Sequence, residues 1–153
     1  MVERDKAKKG RVFTVANLKG GVGKSSLACN LACYLDEVGK AAVIDLDTGQ
    51  RDSERFAGIR GLAVQCVDDA SGLYDAVDRL NQDGYDVVID CPPGEKPETK
   101  LACYMASAVV MPTRPGTNDA HGIGRLLSMI REIRQERPDL PVYAVCNFFK
   151  NST

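Results

Sequence analysis

The chain has 153 residues, 44% hydrophobic and 27% charged, with a formal net charge of -1. This length and apolar share suit one globular domain and exclude global disorder, while near-neutral charge excludes nucleic-acid binding through bulk positive charge and leaves only a local patch. No apolar run reaches the ~18 residues needed to cross a bilayer, and residues 1–11 lack the apolar stretch of a signal peptide, so a cytoplasmic chain is expected.

Residues 1–10 read as a basic tail. Arg11–Asn17 follows as a first strand. Lys24–Val38 reads as a helix with Leu27, Leu31, Leu35 and Val38 on one stripe, stopped by Gly39. Ala41–Asp45 is a second strand and Leu62–Val67 a third, with a short helix around Ser53–Ala57 between them. Ser71 is placed as the cap of a helix reaching about Gln82, with Leu73, Ala76, Val77 and Leu80 inward. Asp86–Asp90 is a strand whose consecutive apolar residues need cover on both faces. Glu98–Met105 reads as helix and Ala108–Pro112 as strand. Asn118–Arg137 is a long helix with Ile123, Leu126, Leu127, Ile130 and Ile133 inside, and Val142–Asn147 is the last strand. Strands alternating with helices predict an α/β fold, a mostly parallel sheet with helices on both faces. Ligands of such sheets bind at the carboxyl ends of the strands, so chemistry is sought just after each one.

Six cysteines, Cys29, Cys33, Cys66, Cys91, Cys103 and Cys146, show no Cys-x-x-Cys spacing. Reduced, buried, small apolar side chains are the expected state, with disulfides or a shared iron–sulfur cluster as the alternatives. Cys29 and Cys33 would share a helix face. His121, the single histidine, is expected on a solvated helix turn.

After the first strand comes Asn17-Leu18-Lys19-Gly20-Gly21-Val22-Gly23-Lys24-Ser25-Ser26, and then a helix. The glycines let Gly20, Gly21, Val22 and Gly23 turn their N–H groups toward one point at a helix N-terminus, where the dipole favours an anion. Lys24 supplies a cation for outer phosphates and Ser25 a hydroxyl for Mg²⁺. The strict phosphate-loop pattern has glycine where this chain has Leu18. Gly-Lys-Ser at a strand-to-helix junction nevertheless predicts a P-loop NTPase with a Rossmann-like three-layer sandwich. Lys19, a second lysine before the glycine pair, is either a solvated surface residue or a cation reaching a second bound nucleotide in trans.

The second strand ends in Asp45-Leu46-Asp47, two carboxylates suited to a magnesium and water network or, alternatively, to loop turns. Asp90 closes an apolar strand, the arrangement that aims a carboxylate at the water shell of Mg²⁺. Pro92, Pro93 and Gly94 then give a stiff turn with a flexible point, suited to a nucleotide-sensing switch.

Lys19-Gly20-Gly21-Val22-Gly23-Lys24-Ser25 resembles the deviant phosphate-loop motif of the ParA/MinD ATPases, whose hallmark is the additional lysine. The resemblance implies that ATP drives dimerisation with two nucleotides sandwiched between subunits, and that Lys19 acts on the partner's nucleotide. It assigns Gly20 to Ser26 to ATP, Ser25 and the waters of Asp45 and Asp90 to Mg²⁺, and catalysis to Lys19, Lys24 and Asp47, with Asp47 orienting the attacking water. Asp45–Gln50 is similar to the family's first switch, although Thr48-Gly49-Gln50-Arg51 lacks the proline many partition ATPases carry there and is nearer the Min-type wording. Val87–Gly94 resembles the second switch. Met111–Gly116 resembles the family's proline loop, where Arg114 touches the partner or nucleotide, or serves only the surface. Asn147 matches an amide that contacts adenine.

By the same resemblance, the expected function is a weak, partner-stimulated ATPase of the ParA type, cycling between ATP and ADP. It would partition a plasmid or chromosome as a homodimer, with a ParB-like activating partner. Thr153 lies short of the family's usual C-terminal strands and helices, which carry the basic DNA surface or the amphipathic membrane helix. Nonspecific DNA binding and nucleoid association stay open, and membrane association is not expected. Lys6, Lys8, Lys9 and Arg11, with Arg125, Arg131, Arg134 and Arg137 beside Glu132 and Glu136, read as solvated faces by default. The alternatives are a MinD-like division-site regulator, positioning of a non-DNA cargo, or a metal-cluster carrier using Cys91 or Cys103 across a dimer axis.

Overall fold

The structure, a computed structural model, describes residues 9–115 and 120–148, without the side chains of 120 and 121. Most of the expected basic tail, the expected helix start at Asn118 and the expected setting of His121 lie outside the described residues.

The chain alternates strand and helix throughout: β1 (Val12–Val15), α1 (Lys24–Val38), β2 (Ala41–Asp45), α2 (Asp52–Arg60), β3 (Ala63–Cys66), α3 (Ala70–Gln82), β4 (Asp86–Asp90), α4 (Pro97–Met105), β5 (Ala108–Thr113), α5 (Ala120–Glu136) and β6 (Val142–Cys146). The six strands form one sheet in the order β3-β2-β4-β1-β5-β6, with every pairing parallel. Parallel neighbours need a crossover, which the intervening helices supply, and burial on both faces explains why β2 and β4 read as unbroken apolar runs.

Two cores follow from the alternation of side chains along each strand. On one face Val12, Ala42, Ile44, Val87, Ile89 and Val109 pack with α3, α4 and α5 through Leu73, Val77, Leu80, Cys103, Leu126, Ile130 and Ile133. On the other, Val15, Ala41, Val43 and Val88 pack with α1 and α2 through Ala28, Ala32, Leu35 and Ala57. The inward faces expected for α3 and α5 are therefore observed, with Met129 added and with Ile123 and Leu127 only partly buried.

Three expectations are corrected. The buried stripe of α1 is Lys24, Ala28, Cys29, Ala32 and Leu35, while Leu27 and Leu31 lie at its rim and Val38 is 70% exposed. Small residues let this helix sit close to the sheet, so of the expected leucines Leu35 makes the contact while Leu27 and Leu31 flank it. The cap of α3 is Asp69, whose carboxylate accepts from the Gly72 N–H at 2.7 Å, and Ser71 lies inside the helix. Cys146 is exposed on edge strand β6, and Cys33 and Cys66 are only half-buried, whereas Cys29, Cys91 and Cys103 are buried. All six are free thiols.

Arg125 and Arg134 of α5, and Arg137 just past it, are used within the fold. Arg134 donates to the Leu140 carbonyl, Arg137 to the carbonyls of Tyr104 and Ala106, and Arg125 lies 3.9 Å from Glu95.

Candidate nucleotide-binding site

Because the sheet is parallel, the carboxyl ends of β1, β2 and β4 open on one edge, and the register places Asp45 beside Asp90 on neighbouring strands. Between β1 and α1 the chain turns through Gly21 at φ 71° and Gly23 at φ 90°, left-handed conformations that glycine adopts without strain. Gly23 has a second reason to lack a side chain. A Cβ there would lie 2.2 Å from Asn147 Nδ2. Asn147 donates through that nitrogen to the Val22 carbonyl at 3.2 Å, and its backbone N–H donates to Thr113 at 2.7 Å. The end of β6 thus braces the loop from behind.

Asn17 braces the loop from below. Only 1% exposed, it donates to the Pro112 carbonyl at 2.8 Å and accepts from the Lys19 N–H at 3.0 Å. Gly94 donates to the Leu18 carbonyl at 2.8 Å, which joins the turn after β4 to the same loop. The loop encloses a cavity of about 170 Å³ lined by Gly20, Gly21, Gly23, Lys24, Ser25 and Ser26, together with Asp47, Gln50, Asp52 and Pro93. Lys24 is 7% exposed and folds back so that Nζ donates to the Lys19 carbonyl at 2.9 Å. Burial pushes its ammonium below the ordinary lysine range, against the opposing pull of Asp90 and Asp47. A buried cation among backbone donors is suited to an anion of high charge.

The carboxylates divide their tasks. Asp47 reaches the cavity, where its Oδ1 also accepts from the Gly49 N–H at 3.2 Å, so the turn reading and the site reading describe one residue. Asp45 is buried and accepts from the N–H groups of Asp47 at 2.9 Å and Glu54 at 3.0 Å. Burial raises its pKa, partly offset by those two N–H groups. Asp90, 1% exposed, accepts from Ser53 Oγ at 2.6 Å through Oδ2, while Oδ1 has no hydrogen-bond partner. Burial pushes its carboxyl up to about 6, held down by the nearby hydroxyls of Ser25 and Ser53 and raised further by Asp45.

A buried carboxylate oxygen without a donor, next to a serine hydroxyl and a loop of amides, fits Mg²⁺. This ion takes one or two protein oxygens and completes its shell with water and phosphate. No cluster of three or more His, Cys, Asp or Glu residues able to hold a metal occurs among the described residues.

A family model described as the CobQ/CobB/MinD/ParA nucleotide binding domain matches residues 13–153. The chain belongs to this family. Among CobQ/CobB/MinD/ParA relatives, the chromosome-partitioning ATPase Soj of Thermus thermophilus is 30% identical over 160 residues, covering 81% of this chain and 63% of Soj. This chain therefore spans less than two thirds of Soj's length. The maintenance of carboxysome distribution protein A of Halothiobacillus neapolitanus is 27% identical over 153 residues, covering 90% of this chain and 67% of that protein. The structure of cobyrinic acid a,c-diamide synthase from Mycobacterium smegmatis with bound ATP analog and magnesium has the same fold. Its TM-score is 0.78 at 22% identity, over 94% of this chain and 77% of that one.

The geometry brings Gly20, Gly21, Gly23, Lys24, Ser25, Ser26 and Asp47 to one cavity, whereas the side chain of Val22 is buried and does not line it, nor do Asp45 and Asp90. Lys19 does not line that cavity; it is half-buried at its margin, and a Cβ on Gly122 of α5 would lie 3.3 Å from its Cβ. Arg114 lies over the Phe148 ring, 4.4 Å from the centroid. Sequence reasoning missed Asn17, Gln50, Asp52 and above all Ser53. The one signal for Ser53 was its place eight residues after Asp45, at the start of a helix that follows a carboxylate pair.

Proposed function

We propose that the chain is the nucleotide-binding part of a Mg-ATP-dependent, dimerising ATPase of the ParA type that positions a large cargo, DNA in the first instance. The observation that carries this reading is the site itself: Gly20, Gly21, Gly23, Lys24, Ser25 and Ser26 line a cavity that also receives Asp47, and Asp90 on the neighbouring strand end keeps one buried oxygen unpartnered. The 30% identity to a chromosome-partitioning ATPase supports the choice of cargo.

In this reading Lys24 and the loop amides bind the β- and γ-phosphates, and Ser25 and Asp90 hold Mg²⁺ directly or through water, with Asp45 behind them. When bound, Mg²⁺ offsets charge on the phosphate oxygens. Asp47 orients the attacking water, and the Asn147 amide contacts the adenine base. Lys19, which is not among the residues lining its own cavity, serves the nucleotide of a second copy in this reading. Hydrolysis is slow until a ParB-like partner acts.

The deciding measurement is molecular size in solution with ADP, ATP and a slowly hydrolysed analogue, for the wild type and Lys19→Ala. A dimer with triphosphate alone, lost in the variant, is expected; a monomer under all conditions overturns the sandwich. Positioning of a non-DNA cargo is the second reading, favoured by the relative concerned with carboxysome distribution, which aligns with 90% of this chain. DNA binding that weakens steeply with salt favours the first reading, and its absence the second.

A further inference from the structure

The first turn of α2 is held by the two site carboxylates. Asp45 and Asp90 stand at the same register on β2 and β4. Asp45 Oδ2 accepts from the Glu54 N–H at 3.0 Å, and Asp90 Oδ2 accepts from Ser53 Oγ at 2.6 Å. Ser53 is wholly buried, as is Cys29 of α1, whose Sγ lies 3.4 Å from Ser53 Oγ. A carboxylate only accepts, so the hydroxyl proton of Ser53 points to Asp90 and its lone pairs are left for the thiol. One hydroxyl therefore joins α1, α2 and β4. It also settles which oxygen of Asp90 is engaged, leaving Oδ1 as the buried oxygen without a donor. The segment that leads into α2 carries Asp47, Gln50 and Asp52 into the cavity.

We propose that Ser53 is a positioning residue: its hydroxyl orients the Asp90 carboxylate for Mg²⁺ and makes the start of α2 respond to the metal. This rests on the Mg-nucleotide reading above. When Oδ1 takes up a hydrated cation, the charge available to Ser53 through Oδ2 falls and the bond that anchors α2 weakens. The segment carrying Asp47 and Gln50 is then freer to adjust to the phosphates. Groups behind a metal-binding carboxylate commonly change metal affinity by ~10–100-fold when removed.

The test is titration of Mg²⁺ against the affinity for a fluorescent ATP analogue, in the wild type, Ser53→Ala, Ser53→Thr and Cys29→Ala. Ser53→Ala is expected to raise the Mg²⁺ concentration for half-maximal tightening by ~10-fold or more, with affinity in EDTA unchanged. Ser53→Thr, which keeps the hydroxyl, stays near the wild type, and Cys29→Ala does not move. A folded Ser53→Ala protein with wild-type Mg²⁺ dependence overturns the inference, and so does an equal shift in Cys29→Ala, which would mark the effect as packing. Hydrogen exchange on the wild type gives a second readout that needs no variant. With nucleotide bound, adding Mg²⁺ is expected to change protection over Ser53–Ala57, and indifference there overturns the coupling. A wild type whose nucleotide affinity ignores Mg²⁺ defeats the site reading and the inference together, whereas the other failures defeat the inference alone.

Discussion

At neutral pH Asp90 carries a charge in a place that resists it. Its folded pKa is about 6 against an ordinary value of 3.8. Between those values the folded state binds more protons than the unfolded one, so this group's contribution to stability is greatest in acid and falls as pH rises from about 4 to 6. A shift of this size corresponds to ~3 kcal/mol. Asp90→Asn is therefore expected to melt higher than the wild type at pH 7.5 without nucleotide, with the gap closing near pH 4. The same variant loses Mg²⁺-dependent tightening of nucleotide. Thermal melts at the two pH values check the first statement, and binding with and without EDTA checks the second. Gly23 gives the opposite case. Gly23→Ala forces a side chain onto φ 90° and into Asn147. The backbone alone costs ~1–2 kcal/mol, and nucleotide affinity is expected to disappear. Adding Asn147→Ala relieves the clash but not the strain, so urea midpoints should recover only in part. The glycines and Lys24 were legible in the sequence because their demands are local. Asn17 and Ser53 were not, since their partners stand 95 and 37 residues away and no periodicity marks them.

The helices meet the sheet through faces of different texture. On α1 the contact is made by Ala28 and Ala32, both fully buried, with larger residues at the edges. Ala32→Leu is expected to destabilise by ~1–3 kcal/mol through overpacking, and Val38→Ala by less than ~0.5 kcal/mol, both read from denaturant midpoints at constant slope. Leucines outweigh alanines in any hydrophobic count, which is why the sequence pointed to Leu27 and Leu31 and passed over Ala28 and Ala32, although it placed Leu35 correctly. On α3, where the large residues do face inward, the same count succeeded. Its start was misplaced because Asp69, two residues before Ser71, is an equally good cap. The turn after β3 decides it, bringing the Gly72 N–H to Asp69. Asp69→Ala should cost ~1 kcal/mol, whereas Ser71→Ala, at an exposed position inside the helix, should cost little.

Across the molecule, the alternation of strand and helix made the α/β class legible, since each run announces itself by its own period. The exposure of single thiols was not, because it depends on which strands end at the sheet edges. Native-state alkylation followed by mass spectrometry is expected to label Cys146 first and Cys33 and Cys66 next. Cys29, Cys91 and Cys103 should react only on unfolding, since they are buried and burial holds their thiols above the ordinary range, Cys103 at about 12. The strand order has one more effect. β1 lies inside the sheet between β4 and β5, and the loop after it is fastened to Pro112 and Asn147, 95 and 125 residues further on. A ribosome thus delivers the glycine-rich segment well before the struts that shape it, Pro112 and Asn147. Until Pro112 and then Asn147 have emerged, the nascent chain carries the motif without the supports that shape it.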